Sequence, residues 1–127
     1  MATLPMRQFP RATELRFLIG LEVGQVCLDP WSTQIRFTDE GQITVVGRFE
    51  HVDVHGRSHL HQADEKQDRG PVFLRDLIQQ RITLFQREPS CLTLAFTNGS
   101  VLRIWSETGP YEDSEIHAPG AVQPIIF

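Results

Sequence analysis

"LEVGQVCLDPWSTQIRFTDEGQITVVG", Leu21–Gly47, finds an echo in "LIQQRITLFQREPSCLTLAFTNGSVLRIW", Leu77–Trp105. Each copy opens on a Leu and reaches an alternating pair, Val26 and Leu28 in the first and Ile82 and Leu84 in the second. An acidic residue and Pro follow, Asp29-Pro30 and Glu88-Pro89, and then a strand ending in Phe-Thr, with Ile35 and Phe37 matched by Leu92, Leu94 and Phe96. A second turn, "TDEGQ" or "TNGS", leads into Ile43 and Val45 or Leu102 and Ile104. Apolar residues at every second position, bounded by Gly, Pro, Asn and Asp, mark half-buried strands. Asn98-Gly99 reads as a type I′ hairpin turn, which needs positive φ at both central residues. Each copy is therefore a three-stranded meander, and the two match with a slip of one residue near each turn.

Two meanders with one apolar face each close a core by packing face to face or by curling together. The expected fold is mainly β, bordering on α+β: a sandwich or partly open barrel of two pseudo-repeats, about 18–54 and 74–106. A single domain spans 1–127, with 1–13 irregular. Between the copies, after the polar "DEKQDRG", the segment "PVFLRDLIQQRI" starts on Pro71 and spaces Phe73, Leu74, Leu77 and Ile78 as one helical stripe. That predicts a short α-helix, since Pro is suited to a first helical position. "ATELRFLIGL" is the matching lead-in to the first copy. "YEDSEIHA" and "VQPIIF" are two short strands that complete a sheet edge.

The chain has 127 residues, is 40% hydrophobic and 22% charged, and carries a formal net charge of −4. This is the composition of a globular protein with one core. The acidic balance and scattered basic residues exclude a general nucleic-acid binder, which needs a cationic face. No apolar run approaches the ~20 residues of a membrane span, and "MATLPMRQFPRATELRFLIG" makes a poor signal peptide, so the expectation is a cytoplasmic protein. Cys27 and Cys91 read as small side chains on strands rather than as a disulfide.

Four of the five histidines fall in "FEHVDVHGRSHLHQAD": His51, His55, His59 and His61, with Asp53 and Asp64 beside them. Strand parity puts Phe49, His51 and Asp53 on one face and Arg48, Glu50, Val52 and Val54 on the other. Turn length decides the rest, because a slip of one residue exchanges the faces. A two-residue turn at His55-Gly56 splits the imidazoles between faces. A three-residue turn, Val54–Gly56 with Gly56 left-handed, sets His51 opposite His59 and Phe49 opposite His61. His51, His59, His61 and Asp53 then share a surface and become candidate metal ligands, since a catalytic zinc takes three protein ligands and keeps a fourth position open. Ligating imidazoles also need second-shell partners. The preferred reading is a solvated hairpin with nothing bound, its histidines titrating near neutrality.

"PYEDSEIH" gathers Tyr111, Glu112, Asp113, Glu115 and His117. A structural role, such as Glu112 accepting hydrogen bonds, is preferred there to acid–base catalysis. Trp31, at a turn, and Trp105, at a strand end, read first as core cover and second as anchors for a partner. No nucleophile motif or phosphate-cradling glycine loop is present. The residues therefore point to no catalytic group and no cofactor.

The C-terminal third, "LTLAFTNGSVLRIWSETGPYEDSEI" followed by "APGAVQPIIF", resembles a family of small bacterial proteins grouped as a domain of unknown function. The resemblance rests on Leu92, Leu94, Phe96, Asn98, Gly99, Leu102, Ile104, Tyr111, Glu112 and Ile125–Phe127. The V-x-L and F-x-x-x-G-x-I-x-V segments extend it over most of the chain past Leu18. Asp113 departs from the family pattern, which has a small or aromatic residue there, and the histidine hairpin is no part of it. No activity is established for the family, so the resemblance transfers no catalytic residue. Its compact members look like immunity proteins that neutralise secreted toxins, an analogy of shape. The resulting expectation is a non-enzymatic protein-binding module with a protein partner and no nucleic acid or membrane, a homodimer being compatible with it. The alternative is a small-molecule or metal-dependent enzyme, or a ligand-binding protein, with a pocket between the meanders and the histidine hairpin as lid.

Overall fold

A computed structural model describes residues 8–62, 72–106 and 114–127. The first meander is β1 (Val23–Leu28), β2 (Thr33–Phe37) and β3 (Gln42–Val45), and it is followed by a hairpin, β4 (Arg48–Val52) and β5 (Ser58–Gln62). The second meander is β6 (Ile82–Glu88), β7 (Cys91–Phe96) and β8 (Val101–Trp105), and the pair β9 (Glu115–His117) and β10 (Ile125–Ile126) follows it. All pairings are antiparallel, in two five-stranded sheets of order β1-β2-β3-β9-β10 and β5-β4-β8-β7-β6. The sheets pack together and do not close into a barrel.

The meanders repeat with a constant shift of 59 positions, as Val23↔Phe37 becomes Ile82↔Phe96 and Thr33↔Val45 becomes Leu92↔Ile104. The expected slip near each turn is not there. The match of Val26 and Leu28 with Ile82 and Leu84 is corrected to Phe85 and Arg87. The slip arises from matching Gly41 with Gly99, whereas the residue equivalent to Gly99 (φ 88°) is Glu40 (φ 71°). Likewise Gly20 (φ 89°) has Gln79 (φ 70°) as its counterpart. In each case one half uses glycine for a left-handed residue and the other accepts the strain of a side chain. The Asn98-Gly99 turn is also not type I′, because Gly99 alone has positive φ. Phe96 N–H bonds to Ser100 O and Gly99 N–H to Phe96 O, the three-residue turn with a left-handed bulge residue.

After each meander the chain crosses to the other sheet. β4 lies against β8 and β9 against β3, so each repeat lends its trailing hairpin to its partner. Where the two meanders begin, β1 and β6 are stitched together. Val23 N–H donates to Gln80 O at 2.9 Å, Ile82 N–H donates to Leu21 O at 3.0 Å, and Glu22 bridges Arg81.

The inner faces supply Val23, Ile35, Ile43 and Ile116 from one sheet and Ile82, Leu92, Leu94 and Leu102 from the other, all buried. Each such side chain contributes roughly 1.5–3 kcal/mol by leaving water. The expected α-helix is one 3-10 turn, Leu74–Leu77, with Leu74 and Leu77 buried and Phe73 and Ile78 exposed. Residues three apart share a face at three residues per turn, so the working stripe is i, i+3. The first copy repeats it with Leu15 and Leu18, beside the 3-10 turns Ala12–Glu14 and Arg16–Leu18. The stretch 1–13, expected to be irregular, thus includes the start of a 3-10 turn, and its Phe9 is a core residue stacked 4.5 Å from Phe127. Pro71 lies outside the described residues.

Candidate functional site

The turn after β4 has three residues. Asp53 N–H bonds to Arg57 O, Gly56 N–H bonds to Asp53 O, and Gly56 has φ 79°. The resulting register sets His51 opposite His59 and Phe49 opposite His61, so the three imidazoles and Asp53 share one face. That face points into the protein. His51 is fully buried, His61 and Asp53 are buried, and the His59 side chain keeps 15% of its exposure. The solvated hairpin of the sequence reading is corrected here. The inward face of the hairpin meets Phe73, which lies against His59, and Asp76 of the Leu74–Leu77 turn, which acts on His51.

His59 Nε2 donates to Asp53 Oδ2 at 2.9 Å, while Asp53 Oδ1 accepts the amides of His55 (2.9 Å) and Arg57 (3.0 Å). These bonds hold the Asp53 carboxyl down at about 2, the His59 bond first and the Arg57 amide next. His59 also leans on Phe73, 4.8 Å between ring centres, and His61 stacks on Phe49 at 5.0 Å. His51 and His59 rings are 6.1 Å apart and tilted by 37°. Neither ring nitrogen of His51 has a hydrogen-bond partner among the described residues. Burial, and then the neighbouring imidazoles of His59 and His61, push its pKa down, so the ring is neutral at pH 7. Among the described residues, no three His, Cys, Asp or Glu side chains are arranged to hold a metal ion. The turn therefore brings His51, His59, His61 and Asp53 together as a buried polar cluster, without the convergence a cation requires.

Strand pairing shows what the cluster replaces. His51 pairs with Leu102 as Ile116 pairs with Ile43, and His59 faces His51 as Ile125 faces Ile116. One residue beyond Ile126, Phe127 fills the place that His61 holds after Leu60. One half is thus closed by Ile116, Ile125 and Phe127, the other by three imidazoles.

A second feature lies at the far end of the first meander. The Asp29 carboxylate accepts Trp31 N–H (2.9 Å), Ser32 N–H (2.7 Å) and the Ser32 hydroxyl (2.9 Å), bonds that lower its pKa, the Trp31 amide first. On this turn Trp31 is 59% exposed, against the expectation of core cover. Leu28, 57% exposed, stands on the rim of a cleft of about 700 Å³ lined by Val26, Leu28, Val72, Arg75, Ile78 and Gln79. Trp105 is half-buried with the Arg48 guanidinium 4.4 Å above its ring, on the face of β8 opposite the buried Leu102 and Ile104. Tyr111 and Glu112 lie outside the described residues. The cleft escaped sequence reasoning because β1 and the Leu74–Leu77 turn form it jointly, from positions about fifty apart in the chain.

Cys27 and Cys91 are free and half-buried. No helix among the described residues is long and apolar enough to cross a membrane. No family model, curated protein or solved structure matches the chain.

Proposed function

We propose that the protein is a cytoplasmic bacterial binding module rather than an enzyme, and that it meets a protein partner through the tip of the first meander. The observation that carries this reading is Trp31, 59% exposed on a turn whose backbone is braced by the Asp29 carboxylate, which accepts the Trp31 and Ser32 amides and the Ser32 hydroxyl. A large aromatic on a braced turn has only two side-chain torsions to order on docking, and Trp is among the residues most enriched at binding hot spots. Leu28 and the cleft beside it extend the apolar surface. The other half lacks both features. The equivalents of Leu28 and Trp31 are Arg87 and Ser90, and Arg87 donates to the carbonyls of Phe9 (2.6 Å) and Pro10 (2.9 Å) of its own chain. The formal net charge of −4 favours encounter with a basic partner, as for an immunity protein facing a basic toxin.

Calorimetric titration of the chain with the product of a neighbouring toxin-like gene tests the reading. Trp31→Ala is expected to weaken the complex by about thirtyfold, corresponding to ~2 kcal/mol for a hot-spot aromatic. Undiminished affinity in that variant would place the interface elsewhere, and absence of any complex would count against the module. Sedimentation velocity identifies the case in which the partner is a second copy.

A further inference from the structure

We propose that the β4–β5 hairpin is a proton-operated latch, closed while the buried imidazole of His51 is neutral and opened at β5 when acid makes protonation of that ring favourable. The inference is independent of the partner surface at Trp31. Its first support is the comparison between halves. The position of His51 is filled by Ile116 in the other sheet, so the fold is satisfied by an apolar side chain there. A fully buried imidazole with both nitrogens lacking partners among the described residues forfeits hydrogen bonds that water would supply. Such a departure from core chemistry points to a role beyond packing.

Topology supplies the moving part. Among the described residues β5 is an edge strand paired with β4, and its departure leaves β4 paired with β8. His59 and His61 leave with it, admitting water to His51. The titratable and charged groups acting on His51 are His59 and His61 on β5, Asp53 at the hairpin turn, and Asp76 on the Leu74–Leu77 turn. The two carboxylates favour a charge on the ring. Burial and the two imidazoles oppose it, and burial is the largest influence. In the closed hairpin His51 resists protonation, and once open it takes up a proton like any exposed histidine. The open form therefore binds more protons, and the opening constant rises as pH falls below about 6.5, by up to tenfold per pH unit for one proton.

Amide hydrogen exchange on the full chain at pH 7.5 and 5.5, corrected for the intrinsic exchange rate, reads the latch directly. The expected result is a roughly tenfold rise in opening for β5 amides at pH 5.5, none for the equivalent pair β9–β10, and loss of the rise in His51→Ile. Equal loosening of both hairpins, an unchanged β5, or a rise that persists in His51→Ile would overturn the proposal. Imidazole C–H resonances of the unsubstituted protein decide independently if the variant does not fold. His51 is expected to titrate below the ordinary histidine range, and titration at or above pH 6.5 would defeat the latch.

Discussion

The two hairpins that complete the sheets do the same architectural job with opposite chemistry. β9–β10 and the residue after it press Ile116, Ile125 and Phe127 onto the first meander, whereas β4–β5 presses His51, His59 and His61 onto the second. Both sites are buried at the centre, since Ile116 and His51 have no exposure and Phe127 and His61 almost none. The backbone frame therefore does not demand imidazole. It tolerates it at the cost of an unpartnered ring, and the difference isolates the polar cluster as a specialisation of one half.

The strongest way to break the comparison is to put an imidazole in the apolar half. Ile116→His is expected to cost about 3 kcal/mol in urea denaturation at pH 7.5, because it removes packed methylenes and buries an unsatisfied polar group. A cost near zero would mean that the two sites differ little. The reverse change, His51→Ile, is expected to gain about 1 kcal/mol at the same pH, since replacing an orphaned polar group with an apolar one of similar size is neutral or stabilising. A clear loss there would reveal a stabilising role for the ring.

A smaller effect tests the left-handed positions. Glu40→Gly gives the first half the residue its partner uses at Gly99 and is expected to add about 0.5–1 kcal/mol. Gly99→Ala has room for its Cβ, with nothing within 4 Å, and should lose a similar amount through φ alone. The last effect is one of slope. Asp53 has its folded pKa depressed from 3.8 to about 2, so its contribution is complete above pH 3.8 and is lost as pH falls towards 2. Asp53→Asn should flatten the stability profile in that window, and an unchanged acid limb would detach the carboxylate from the hairpin's stability.

Much of this was legible in the chain. Alternation located β2, β3, β7 and β8, because a sheet face is written at every second residue, whereas β1 and β6 carry bulges that leave Leu28 and Leu84 exposed. Parity also put Phe49, His51 and Asp53 on one face, and Gly56 marked the three-residue turn as one of two registers. Legibility failed where spacing was ambiguous. Phe73, Leu74, Leu77 and Ile78 fit a helical stripe, but the chain must reach Gln79 at φ 70° to enter β6, which leaves length for one 3-10 turn. Gly41 and Gly99 looked equivalent because glycine is the usual left-handed residue, and Glu40 holds that conformation instead.

The resemblance drawn from the C-terminal third likewise speaks to strand pattern, which many β proteins share. Residue order by itself determined the local facts: strand periodicity, turn sites and the two-meander plan, and it narrowed the imidazoles to two registers. Only the tertiary structure decided that each hairpin crosses to the other sheet, and with it that the histidine face is dry. The reason is physical. Alternation depends on neighbours along the chain, whereas burial depends on what packs over a face, and the histidine face meets Phe73 and the Leu74–Leu77 turn from beyond its own hairpin.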